Sequence, residues 1–139
     1  MKTDLPNLLT ASSILLGIIT ALYGLFFPAI NSILVIKSKP HKVDNKKAYS
    51  ESKDIIKAKY IPLLIGSLVI TLINIPELFS QLRNSFVAIK TSGIENTTYD
   101  TLTASFIVVC LFMIFITIMM IATGFKLRKK IKELNPNEQ

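Results

Sequence analysis

Apolar and polar residues along this chain separate into blocks instead of alternating at a strand or helix period. Charge is absent from Leu5 to Ile36, from Tyr60 to Pro76 and from Thr101 to Phe125. A hydrocarbon core about 30 Å thick is crossed by ~20 apolar residues in helical form. Blocks of that length read as membrane spans, because a soluble bundle would interleave its apolar residues with charge. The pattern therefore predicts an all-α, polytopic membrane protein whose 139 residues form one domain with three transmembrane helices. The expected spans cover 8–36, 60–79 and 102–127, with a basic loop 37–59, an outer loop 80–101 and a basic tail 128–139.

Local signals refine these elements. Pro6 and Asn7 suit the start of the first span. Pro28 inside it removes the hydrogen bond to the Gly24 carbonyl and predicts a bend there. Pro62 falls in the first turn of the second span, where proline is tolerated, and Pro76 is expected to bend or end it. Good helix formers between Ser50 and Tyr60 predict that this span continues into the basic loop as a short helix. Asn84 to Asp100, with Ser92-Gly93 and an Asn96-Thr97-Thr98 sequon, reads as a polar connector.

The formal charge of +7 would suit a nucleic-acid partner if it were spread over one face, but its distribution follows the blocks. Eight lysines lie between residues 37 and 59, and Lys126, Arg128, Lys129, Lys130 and Lys132 begin the tail. With three spans these two segments share a side, and the positive-inside rule makes that side the cytoplasm. The N-terminus is then outside, the C-terminus inside, and no nucleic acid is required. The first block is too long, and Phe27 too large at the best cleavage position, for a removed signal peptide. Heavy use of Ile, Lys and Asn without tryptophan points to a bacterial cytoplasmic membrane.

Candidate chemistry is sparse. A single cysteine, Cys110, forms no internal disulfide, and a lone His41 in a charged loop makes no metal site. No catalytic motif and no cofactor signature is present, so no enzyme activity is expected. What remains is a small and polar row on each span. Ser13, Gly17, Ala21, Gly24 and Pro28 follow one another by three or four residues on the first. Ser67, Thr71 and Asn74 do so on the second, and Thr117 and Gly124 are seven apart on the third. Lipid gives helices no hydrophobic reason to associate, so close approach at small residues and hydrogen bonds between polar ones mark helix interfaces. Glu77 is the one ionisable candidate near a span, since a carboxylate at bilayer depth signals function by default. Lys126, Arg128, Lys129 and Lys130 are the expected contacts to anionic lipid headgroups.

These features predict a small non-catalytic membrane protein, an accessory, regulatory or immunity-type subunit working through helix contacts with itself or another membrane protein. The competing readings are a homo-oligomeric pore and a small transporter using Glu77. In topology alone the chain resembles one class of phage holins, which would imply the pore. Orientation is directly testable after Cys110→Ala. Cysteines at Thr3 and Ser92 should react with an impermeant thiol reagent in intact cells, and those at Asn45 and Asn137 only after lysis. Labelling of position 45 from outside would reverse the topology.

Overall fold

A computed structural model of the chain describes residues 4–38, 45–92 and 100–136. His41, the Asn96 sequon and Asn137 lie outside them. Helix α1 runs over Leu5–Val35, α2 over Lys46–Ile55, α3 over Ile61–Ser92 and α4 over Thr101–Leu134. A single π-helical turn, Ile56–Tyr60, joins α2 to α3 without a break. The regular structure of the described residues is all helical, with three helices long and apolar enough to cross a membrane.

Helices α1 and α4 begin where the sequence supplies a start. Asp100 caps α4 by accepting from the Leu102 amide at 3.0 Å and from the Thr103 hydroxyl at 2.6 Å. The Thr103 bond, aided by the first amides, holds the Asp100 carboxyl below the usual carboxylate range. A lowered folded-state value means that the cap supports the helix above the ordinary carboxylate pKa. That support is lost as pH falls through the lowered value. Pro6 sits in the first turn of α1, and the helix continues through Pro28 to Val35.

Two boundaries differ from the sequence expectation. Pro76 does not end the second span, and the stretch from Asn84 that reads as a connector is helical to Ser92. Leu82, Ala88 and Lys90 are good helix formers, and the side chains of Gln81, Ser85 and Thr91 bond back one turn to Glu77, Gln81 and Val87. Likewise α4 carries the basic tail on to Leu134, supported by a 3.1 Å ion pair between Lys130 and Glu133.

The three long helices pack up, down and up, with α4 against both α1 and α3. Their core forms three tiers. Leu78, Phe106 and Cys110 pack near the start of α1, Ile19, Leu63 and Met120 at mid-height, and Ile30, Ile33, Tyr60 and Leu127 near the α2 end. On α4 the buried positions Phe106, Cys110, Met113, Thr117 and Met120 step by four and three, the seam of a left-handed helix pair.

On the α2–α3 rod the inward row is Asn45, Ser52, Tyr60, Ser67 and Asn74. Its steps are seven except from Ser52 to Tyr60, where an eighth residue enters. The π turn absorbs it, with the Ile61 amide donating to the Ile56 carbonyl five residues back. In an unbroken α-helix the seven-residue step from Ser52 would land on Lys59 and turn an ammonium into the core. Burial of Asn45, bonded to Ser38 at 3.3 Å, makes exposed Lys47 the better labelling position in the basic loop. Deleting Ala58 should convert the π turn to α and leave Ser52 and Tyr60 on one face, so the bundle stays folded. Deleting Val69, which throws Ser67 and Asn74 out of register, should unfold it. Equal thermal stability of the two deletions in detergent would refute this account of the turn.

Candidate functional site

Several polar side chains inside the bundle join one helix to another, while the buried Ser52 hydroxyl has no hydrogen-bond partner. Ser12 of α1 donates to the Asn74 side-chain oxygen of α3 at 2.8 Å, and the Asn74 amide donates to the Ile70 carbonyl at 2.9 Å. The hydroxyls of Thr71 and Thr117 lie 2.9 Å apart and link α3 to α4. Tyr60 donates to the Met120 carbonyl, the third link. Ser67 turns back on the Leu64 carbonyl at 3.0 Å. An unsatisfied polar group in hydrocarbon costs several kcal/mol, so such pairing is what burial at this depth requires. The space left over is small. A cavity of about 10 Å³ beside Ser67, Thr71 and Thr117 is room for a single water at most.

Gly124 has a specific reason to lack a side chain. A Cβ built on it would stand 2.6 Å from the Tyr60 hydroxyl oxygen and 3.4 Å from the ring carbon bearing it. The hydroxyl reaches the Met120 carbonyl only by crossing the surface of α4 at this residue.

The structure thus brings Ser67, Thr71, Asn74, Thr117 and Gly124 into the contacts among α1, α3, α4 and the π turn. It does not do so for the row on α1. Ser13, Gly17, Ala21, Gly24 and Pro28 are all exposed, and no atom of another element lies within 4 Å of a Cβ built on Gly17 or Gly24. Among the described residues they form no helix interface, unlike the rows on α3 and α4. The inward row of α1 lies one or two residues away: Ser12, Leu16, Ile19, Tyr23, Phe26, Ile30 and Ile33, again in steps of four and three. Only 11% of the most apolar stretch of α1 is buried, against 28% in the other two spans, so α1 keeps a broad free face.

The charged candidates fall in two groups. Glu77 is half-buried and accepts from the Gln81 amide at 2.6 Å. Lys126, Arg128 and Lys129 are exposed at the basic end, whereas Lys130 is half-buried and held by Glu133. Lys130 is therefore engaged within the chain by a neighbour one turn on. Among the described residues no three His, Cys, Asp or Glu side chains gather closely enough to hold a metal.

Sequence reasoning missed Ser12 and the role of Tyr60. Ser12 heads the row of bulky residues on α1, and Tyr60 stands seven before Ser67, so in both cases spacing carried the signal. The chain matches no family model, no curated protein and no solved structure.

Gly124→Ala should lower stability by about 1–3 kcal/mol, the overpacking range. In a Tyr60→Phe background the same change should be nearly neutral, because the remaining ring carbon lies at ordinary contact distance. Equal effects in both backgrounds, measured by denaturation in detergent, would show that the hydroxyl is not what excludes a side chain. A double-mutant cycle with Ser12→Ala and Asn74→Ala should return a coupling of about 0.6–1.7 kcal/mol. A value near zero would show that the 2.8 Å bond carries no weight.

Proposed function

We propose that this chain is a small, non-catalytic subunit of a membrane complex that acts through the outward face of α1, packing against a helix of a membrane partner. The supporting observation is the contrast between two adjacent rows on α1. Bulky Leu16, Ile19, Tyr23 and Phe26 face the bundle, while Gly17, Ala21 and Gly24 lie exposed with open space above both glycines. Gly lowers helix stability by about 1 kcal/mol relative to Ala, so a helix gains from it where another backbone must come close.

In this reading the N-terminus is outside, and the basic end formed by α2, the π turn and the end of α4 lies in the cytoplasm of a bacterial cell. Thirteen of the sixteen basic residues belong to the two segments on that side. Exposed Lys126, Arg128 and Lys129 contact anionic headgroups there. The filled seam between the helices favours contact over conduction by a single chain.

A photo-reactive residue at Ala21 should give protein adducts in native membranes, and one at Val69, on the lipid-facing side of α3, should not. Gly17→Leu should abolish those adducts yet leave the chain's own thermal stability within about 0.5 kcal/mol, the range of surface substitutions. Adducts at Ala21 that survive Gly17→Leu, or that appear equally at Val69, would remove this face as the interface.

A further inference from the structure

A groove of about 230 Å³ opens at the basic end, between the α2–π-turn segment and the last turns of α4. Its apolar wall includes Ile56, Leu127 and Ile131, and Tyr60 and Gly124 close its inner end. Two cations reach it from opposite sides, Lys53 from α2 and Arg128 from α4, and no carboxylate lines it. The Lys53 ammonium stands 5.7 Å from the centre of the Tyr49 ring, a cation–π arrangement that keeps it at this rim.

We infer that this groove is a binding site for one anionic phospholipid, its phosphate between Lys53 and Arg128 and the start of an acyl chain along Leu127 toward Ile61. Three observations on separate residues agree on that occupant. The charge is complementary to a phosphate and unopposed within the groove. The apolar wall runs continuously from the cationic rim toward the spans, which suits a molecule charged at one end and hydrocarbon at the other. The volume, below the ~300 Å³ at which drug-sized pockets begin, suits a segment of one chain. The π turn contributes both Ile56 and Tyr60 to the lining, and single π turns concentrate at functional sites. Arg128 presents a planar fork that pairs two phosphate oxygens, while Lys53 acts as a point charge. The inference rests on the membrane placement of the basic end and is independent of the α1 face.

The test uses the full chain in bilayers of phosphatidylcholine, alone or mixed in equal amount with phosphatidylglycerol, extracted gently and read by native mass spectrometry. High salt during extraction screens diffuse attraction between exposed charges and leaves direct contacts. Wild-type protein should retain phosphatidylglycerol and release phosphatidylcholine. Each of Lys53→Gln and Arg128→Gln should cut retention about fivefold, and the pair about thirtyfold. Lys46→Gln and Lys57→Gln, exposed cations of the same end outside the lining, should leave retention unchanged, and all four variants should elute as wild type does on size exclusion. The inference fails if the two sets of variants lose lipid equally, if phosphatidylcholine is held as well, or if soluble glycerophosphate displaces the lipid. Adducts at Ala21 that are unaffected by Lys53→Gln would keep the fate of this site separate from that of the α1 face.

Discussion

The hydroxyl of Tyr60 lies against α4 where a side chain on residue 124 would stand, and much of the arrangement follows from that contact. It fixes the height of the α2–α3 rod on α4, because the ring meets the helix surface only where a glycine admits it. Phase is fixed by the same contact, since Tyr60 opens the row Tyr60, Ser67, Asn74 that faces inward along α3. From that phase Thr71 meets Thr117 and Asn74 meets Ser12. Lipid supplies no general attraction between helices. A bundle there is specified by a few directional contacts, and here they occur at three heights on three pairs of elements.

The apolar blocks made the spans legible, because a length near 20 residues without charge has few other meanings. The rows on α3 and α4 were legible too, since their small and polar residues are also the ones at the seam. On α1 two rows one or two residues apart share the same three-four spacing. A rule that favours small residues selects Gly17 and Gly24, but contact area with α4 selects Ile19, Phe26 and Ile30. Spacing alone does not rank them; the positions of the neighbouring helices do. The π turn was illegible for a related reason. Lys57, Ala58 and Lys59 suit either a five-residue or a four-residue turn, and only the inward demand for Tyr60 in place of Lys59 decides. The helical continuation beyond Pro76 shows how little one proline weighs against the helix formers that follow it.

The charge pattern and the packing pattern divide the molecule along its length. At the end where α1 begins, Asp100 and Thr103 form the cap of α4, and the cations Arg83 and Lys90 stand on the exposed surface of α3. At the other end, lysines surround α2 and the last turns of α4, and the helices separate enough to leave a groove. Between the two the seam closes to cavities of about 10 Å³ or less. The tight middle and open basic end have one source: α4 is flanked by α1 and α3 through the spans, and near Leu134 it has shorter α2 beside it.

The unbroken rod from α2 through the π turn into α3 also has a mechanical meaning. Its 47 residues, Lys46 to Ser92, measure about 70 Å at helical rise, more than twice the thickness of a hydrocarbon core. Helical from end to end, with an amide missing only at Pro62 and Pro76, the rod behaves as a shaft. A twist applied to α2 at one membrane surface is carried to the far end of α3 at the other, instead of dissipating in a loop. The π turn is the compliant section of that shaft, since its wider hydrogen-bonded ring is the place where rotation is exchanged for one residue of register.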